Sequence, residues 1–342
     1  MTSHLNRQIR LHARPTGLPS DEIWDFVTET LREPANGEFV AKILYISLDP
    51  AMRVWMNSGD TYVPSIRIGD VMRASVVARV VKSRHPGHAV GSHVMGRLGV
   101  QEFAYSDGMD MIGQPVVTID RPQGSLSNYL GVLGVPGLTA YFGLLEVGRP
   151  AAGETVVVSG ATGAVGSVVG QIARIKGCRV IGITGGPEKC RYLTETLGFD
   201  GAVDYQNGDV AENLARLCPN GIDVYFDNAG GEILDAALSK LAMRARVVLC
   251  GAMSQYNNVG PVRGPANYRA LLVKRARMEG IIVYDYMASY EKARAEMAGW
   301  LSEGRLIARE EMMTGLESFP EALRRTLTGT KFGKLLIRLE DR

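Results

Sequence analysis

The sequence predicts an α/β protein in two parts: a doubly wound parallel six-stranded sheet and a smaller, β-rich domain. Three observations predict it. A short β-branched run, Thr155–Ser159, is broken by Gly160, Gly163 and Gly166, after which Val168–Ile175 resumes with the apolar spacing of a helix. From Gly153 onward, strand-like and helical stretches alternate regularly. Before about Arg121 the β-favouring runs are instead irregular, separated by Gly, Pro, Asp and Asn. At 342 residues the chain is long enough for two domains with substantial cores.

In chain order, Phe39–Leu48, Ala74–Lys82 and Val94–Tyr105 hold the β-favouring runs of the first part. A change of composition at Asp120–Gly124 marks a boundary. The expected division is therefore 1–124, completed by 305–342, against 125–304. Leu126–Leu145 reads as helix, turn and helix around Val135-Pro136-Gly137. Six strands are expected at Thr155–Ser159, Arg179–Thr184, Ala202–Tyr205, Ile222–Asp227, Arg246–Cys250 and Gly280–Tyr284. Helices are expected between them at Pro187–Leu197, Asp209–Leu217, Glu232–Leu241 and Asn267–Arg275. An amphipathic helix, Tyr290–Glu303, follows, and the β-like tail Gly333–Leu339 is expected to rejoin the N-terminal domain.

Strand, glycine turn and helix in that order form the first βα unit of a dinucleotide-binding fold. The turn must be tight, the backbone must approach a pyrophosphate, and the helix must sit close on the sheet. Each need is met by a missing side chain, and the helix N-terminus adds free N–H groups and partial positive charge. Ala161 replaces the first glycine of the usual fingerprint, giving A-x-G-x-x-G.

Sites that prefer NAD place an acid about 20 residues past the glycines, on the ribose 2′-hydroxyl. Here the second strand ends in Ile183-Thr184-Gly185-Gly186 with no acid at its tip, and Lys189 follows. A missing acid and a nearby cation favour a 2′-phosphate, hence NADPH, with Glu188 as the only contrary charge. The alternative for Lys189 is an ordinary solvated helix lysine. A catalytic zinc needs three protein ligands, and no cysteine precedes Cys178. The histidines of that half are His4, His12, His85, His88 and His93; the last three lie in a polar Pro/Gly loop and read as solvated, so no metal site is expected. Beyond the fifth strand, Cys250–Asn257 places Tyr256 at the crevice rim. There it can donate a hydrogen bond to a carbonyl or enolate, or serve as a packing tyrosine with a wet hydroxyl.

The segments 137–148 (GLTAYFGLLEVG), 159–178 (SGATGAVGSVVGQIARIKGC), 224–231 (VYFDNAGG), 250–257 (CGAMSQYN) and 329–336 (GTKFGKLL) resemble the zinc-free medium-chain dehydrogenase/reductase superfamily. More narrowly they are similar to the branch of leukotriene B4 dehydrogenase/prostaglandin reductases, alkenal double-bond reductases and bacterial curcumin reductase. The likeness runs through nearly the whole chain, including 46–53 (ISLDPAMR). It implies a GroES-like catalytic domain made of the N-terminus and the tail, beside a Rossmann domain. It implies NADPH, with Gly163, Ala164, Val165 and Gly166 at the pyrophosphate and Lys189 and Tyr205 at the 2′-phosphate. Asn228, Cys250, Ser254, Tyr256, Ile282, Val283 and Tyr284 complete the expected cofactor site, with Tyr256 assisting reduction at the carbonyl end. It also implies a homodimer and a small enone or enal substrate. Two positions depart from the family pattern: Lys331 stands where the G-x-N-x-G-K motif has asparagine, and Ala51 replaces the tyrosine of DPYMR. Lys331 is still counted in the expected cofactor site, where it can meet a phosphate but cannot accept a hydrogen bond; Ala51 removes an aromatic wall from the expected substrate pocket.

The implied activity is NADPH-dependent reduction of the carbon–carbon double bond of α,β-unsaturated ketones or aldehydes. Quinone reduction, alcohol oxidation and a non-catalytic NADPH-binding role are the alternatives. A formal net charge of +2 favours neither nucleic acid nor an anionic membrane as partner. No apolar run reaches spanning length and the first ten residues are too polar for a signal peptide. Cys178, Cys190, Cys218 and Cys250 lack paired metal-type spacing, and a cytoplasmic protein with reduced thiols is expected.

Overall fold

A computed structural model describes residues 5–59, 61–120 and 122–340. His4 and Arg121 lie outside the described residues. Contacts divide the chain into two compact units, one formed by the N-terminal part through Leu130 together with the chain from Glu310, the other by Gly131–Arg309.

The first unit begins with a hairpin that the sequence reading did not contain: β1 (Leu5–Leu11) pairs antiparallel with β2 (Trp24–Thr30). Its charged residues hide the pattern, yet Ile9 and Leu11 are fully buried. Then come β3 (Phe39–Ser47), α1 (Ala51–Trp55), β4 (Ser75–Ser83), β5 (His93–Arg97), β6 (Phe103–Ser106) and β7 (Val117–Thr118). The 3-10 turn Leu126–Leu130 belongs to this unit, because Asn128 donates to Glu310 Oε1 at 2.7 Å and the Tyr129 hydroxyl accepts from the Gln123 amide.

The second unit opens with α2 (Val135–Phe142). Val135-Pro136-Gly137 is therefore the first turn of a helix rather than a turn between helices. Proline suits the helix start, and a Cβ on Gly137 would stand 1.7 Å from the Val132 carbonyl oxygen, so only glycine lets the chain enter there. Next follow β8 (Thr155–Ser159), α3 (Gly166–Ile175), β9 (Arg179–Thr184), α4 (Pro187–Arg191), β10 (Gly201–Asp204), α5 (Val210–Leu217), β11 (Ile222–Asp227), α6 (Gly231–Leu238) and β12 (Leu241–Leu249). α7 (Arg269–Lys274), β13 (Arg277–Gly280) and α8 (Tyr290–Ser302) complete it.

The six strands β8–β13 are parallel in the order β10-β9-β8-β11-β12-β13, the doubly wound arrangement in which the order of strand addition reverses between β8 and β11. The strands bordering that switch point are buried on both faces; Val156, Val157, Val158, Val224, Tyr225 and Phe226 are fully enclosed. Two expected strands move. β12 starts at Leu241 instead of Arg246, and Glu232–Leu241 is accordingly shortened to a helix ending at Leu238. The polar stretch around Arg244, which takes a left-handed φ of 61°, marks an irregularity that masks the strand. β13 ends at Gly280 rather than running from it. The Ile281 amide makes the last bond to Leu249 O, and Val283–Ser289 then turns into 3-10 helix, with the Tyr290 hydroxyl donating to Val283 O at 3.0 Å.

Residues 305–309 stay with the second unit: Leu306 is buried, and Gln171 both accepts from the Ile307 amide and donates to its carbonyl. The chain then returns to the first unit as β14 (Glu310–Thr314), α9 (Phe319–Thr328) and β15 (Lys334–Arg338). β15 pairs antiparallel with β3, giving a sheet ordered β14-β15-β3-β4-β5-β7 with β6 also on β3. Lys334 is buried and donates to Leu48 O and Asp49, tying the tail to the 46–53 motif.

Candidate cofactor site

The carboxyl ends of the six parallel strands carry the expected nucleotide residues of the second unit. β8 ends at Ser159, Gly160 takes φ 60°, and the chain crosses to α3 through Ala161–Val165. A Cβ on Gly166 would lie 2.3 Å from Gly160 O and 2.9 Å from Gly160 C, so the corner closes only without a side chain. Ala161 is tolerated at the first fingerprint position because it is not in a positive-φ conformation and packs against Gly182, where a Cβ would meet the Ala161 methyl at 2.8 Å. Gly170 continues the economy: a Cβ there would come 2.0 Å from the Phe199 ring. Gly163, Ala164, Val165 and Gly166 thus form a compact turn at the start of α3, whose N-cap, Val165, offers no side-chain acceptor. These are the features a pyrophosphate requires.

At the next strand tip, Thr184 shares a buried hydroxyl bond of 2.8 Å with Thr162, linking the glycine turn to β9. Gly185 and Gly186 lead into α4, which carries a half-buried Lys189. A Cβ on Gly185 would meet Tyr205 Cζ at 3.0 Å, so Tyr205 from the end of β10 lies against the corner from which the Lys189 helix starts. Glu188 is not, as the sequence suggests, the only contrary charge here: Asp204 accepts from the Gly186 amide at 2.8 Å.

Around β11 and β12 the construction changes from missing side chains to a hydrogen-bond network. The Asp227 carboxylate, 1% exposed, accepts from Ser159 Oγ and Tyr225 Oη at 2.9 Å and from the amides of Ala229 and Gly230 at 3.1 Å. Burial pushes its carboxyl upward, opposed by those donors. Asn228 donates through Nδ2 to Ser159 O at 2.7 Å, and the Cys250 and Gly251 amides reach Asp227 O. Ser254 Oγ donates to Ala229 O at 2.7 Å. Asn228, Cys250 and Ser254 are therefore brought together with Asp227, Ser159 and Tyr225, none of which the sequence reading selected. Their signal was an acid ending a strand before Asn-Ala-Gly-Gly, a turn signature beyond the fingerprint glycines.

Tyr256 follows the 3-10 turn Met253–Gln255; its hydroxyl accepts from the Ala252 amide at 3.3 Å and sits close over Gly251, where a Cβ would approach it to 3.0 Å. Burial raises its phenol above the ordinary value, the Ala252 amide pulling the other way. Burial pushes the Cys250 thiol up to about 12. Both groups are protonated at neutral pH. Tyr205 and Ser254 also border an open cavity of about 1210 Å³ between the starts of α5 and α6, with Asp209, Gly230 and Gln255 among its walls. Ile282, Val283 and Tyr284 follow β13 in a 3-10 turn, not a strand end.

Lys331 belongs to the first unit, where its ammonium donates to Gly333 O at 2.9 Å. Ala51 opens α1, and the neighbouring Arg53 is buried, bonding Gly17 O, Pro15 O and Asn57. In the histidine loop, which the sequence suggests is solvated, His88 is instead buried, 4.6 Å from the Phe39 ring and bonded to Thr118 at 3.1 Å. Burial lowers its pKa. No group of three or more His, Cys, Asp or Glu among the described residues is arranged to hold a metal, and the four cysteines are unpaired.

The parallel sheet, its switch point and the side-chain-free corner define a dinucleotide-binding protein of the doubly wound class. A family model described as the N-terminal domain of oxidoreductase matches residues 7–113, and one described as zinc-binding dehydrogenase matches residues 164–300. NADPH-dependent curcumin reductase of Escherichia coli (strain K12) is 43% identical over 339 residues, covering 98% of this chain and 97% of that protein. Prostaglandin reductase 1 of Mus musculus is 40% identical over 325 residues, covering 94% and 95%. The crystal structure of CurA from Vibrio vulnificus in complex with NADPH superposes with a TM-score of 0.92 at 42% identity, over 98% of this chain and 100% of that one. The chain belongs to the zinc-free medium-chain dehydrogenase/reductase superfamily, in the branch of the prostaglandin, alkenal and curcumin reductases, and is an oxidoreductase.

Proposed function

We propose that the protein reduces the carbon–carbon double bond of α,β-unsaturated ketones or aldehydes with NADPH. One observation carries the reading beyond family membership. Of the titratable groups at the β11–β12 tips, Asp227 is enclosed by its donors and Cys250 is a neutral thiol. Tyr256 is a protonated phenol whose oxygen accepts one amide and whose proton has no acceptor among the described residues. NADPH supplies the hydride. Gly163–Gly166 bind the pyrophosphate, and Lys189 with Tyr205 takes the 2′-phosphate. Tyr256 donates to the substrate carbonyl oxygen, where negative charge develops as the β-carbon is reduced. The α-carbon is protonated from water or through Tyr256. Raising the phenol's pKa keeps the donor protonated throughout the neutral range.

Ala51 in place of an aromatic residue favours a wider substrate pocket than in relatives of the branch. A homodimer in the cytoplasm belongs to the same reading: β13 has β12 as its only sheet neighbour among the described residues, and the adjoining α7 exposes Leu272 (79%) and Val273 (62%). Oxidation of NADPH assayed with an enone, a quinone and a secondary ketone tests the function. Turnover of the enone to the saturated ketone is expected. Activity confined to the quinone or to carbonyl reduction assigns the scaffold to another reaction, and no turnover with any of them leaves a binding protein.

A further inference from the structure

We propose that Asp204 is the positioning residue of the 2′-phosphate end of the nucleotide site, fixing the corner that carries Lys189 to the strand tip that carries Tyr205. The inference rests on the NADPH reading above. β10 and β9 run side by side with Asp204 opposite Thr184, so both strands end at the same level. From there Asp204 Oδ1 accepts from the Gly186 amide at 2.8 Å and from the Gln206 amide at 3.0 Å, while Oδ2 accepts from Asn207 Nδ2 at 2.8 Å. One carboxylate thereby holds two loops that have no covalent connection nearby. Gly186, at φ 88°, is the residue on which α4 starts, and Pro187 follows it directly. Its orientation sets where the first turn of α4 points Lys189. On the other side of the carboxylate the Tyr205-Gln206 pair is packed so closely on Gly185 that a Cβ there would meet Gln206 Nε2 at 2.9 Å and Tyr205 Cζ at 3.0 Å. Asp204 is half-buried, and its three donors outweigh the effect of burial, so the carboxyl sits below its ordinary value.

An acid this near a phosphate site is unexpected on charge alone, since a bare carboxylate repels a phosphate and favours the ribose hydroxyl of NADH. Its three N–H partners disperse that charge, and what remains is the geometry it imposes. The two roles predict opposite signs. As a repulsive charge, Asp204 weakens NADPH binding, and removing it tightens the complex. As a positioning group, it assembles the donors, and removing it loosens NADPH while leaving NADH untouched.

Calorimetric titration of the full-length protein with NADPH and with NADH, for Asp204→Ala, Asp204→Asn and Lys189→Ala, separates them. Hydrogen exchange of the peptide containing Gly186 is followed in the same variants without nucleotide. Asp204→Ala is expected to raise the Kd for NADPH about tenfold, to leave NADH within about twofold, and to speed exchange at Gly186. Asp204→Asn, whose oxygen still accepts from Gly186 and Gln206, is expected to restore most of both. Tighter or unchanged NADPH binding in Asp204→Ala, or equal losses for the two nucleotides, overturns the proposal. If Lys189→Ala lowers NADPH affinity selectively while Asp204→Ala does not, the positioning role fails and the phosphate reading stands. If neither variant is selective, both fail.

Discussion

The nucleotide-binding unit builds its site in two different ways. At the β8–α3 corner the proposed site is made by what is missing: Gly166, Gly170 and Gly182 leave no space for a Cβ, Gly160 takes a φ of 60°, and the backbone is left to meet the nucleotide. At the tips of β8 and β11 it is made by what is present, a buried carboxylate that collects hydroxyls and amides from its own strand and turn and from the end of β8. The first device tolerates no added atom but asks nothing of side-chain chemistry. The second tolerates shape changes at its rim but depends on each donor finding its acceptor. On the proposed reading the corner serves any dinucleotide, and discrimination among nucleotides falls to the side chains further along the strand tips.

The sharpest way to break the contrast is Gly166→Val. With the first side-chain atom already 2.3 Å from Gly160 O, affinity for NADPH and NADH should fall together by about a hundredfold or more, as read by calorimetry. Comparable retention of both nucleotides would mean that the corner relaxes and is not a rigid cradle. Lys189→Ala should act on one nucleotide only: losing a charge-assisted contact to phosphate costs about 1.5–3 kcal/mol, so NADPH binding weakens at least about tenfold and NADH hardly changes. Equal losses would remove Lys189 from the 2′-phosphate.

Tyr256→Phe keeps the ring and deletes the donor. A phenol that stabilises charge in the transition state acts on kcat more than on affinity, and a loss of about tenfold is expected on an enone, with NADPH affinity unchanged. Because burial raises this phenol, the wild-type rate should stay flat on the alkaline side through about pH 9 and fall only above the ordinary tyrosine range. A packing tyrosine instead predicts unaltered kcat in Tyr256→Phe and lost stability in Tyr256→Ala. An unchanged kcat, with a deuterated cofactor showing hydride transfer to be rate-limiting, would take Tyr256 out of the mechanism.

The same contrast explains what could be read from the sequence. The parallel strands, the glycine corner and α3 were legible because β-branched runs, glycines and helical spacing are local signals. The limits of β12 and β13 were not. A left-handed Arg244 interrupts one strand, and the end of the other is set by the last ladder bond, from Ile281 to the Leu249 carbonyl, a partner distant in sequence. Lys189 and Tyr256 could be picked out by position after a strand, and Tyr205 by the family resemblance. Asp204 and Asp227 could not, because each joins a neighbouring strand tip to its own turn, a partnership that only the fold creates. His88 illustrates the reverse error: a histidine in a polar loop reads as solvated until Phe39 is folded against it.

The central claim is that reduction occurs at the carbon–carbon double bond. NADPH carrying deuterium in the transferable position, turned over with an α,β-unsaturated ketone, tests it most directly through the NMR spectrum of the product. A saturated ketone labelled at the β-carbon is the predicted result. An allylic alcohol labelled at the carbinol carbon would contradict the account.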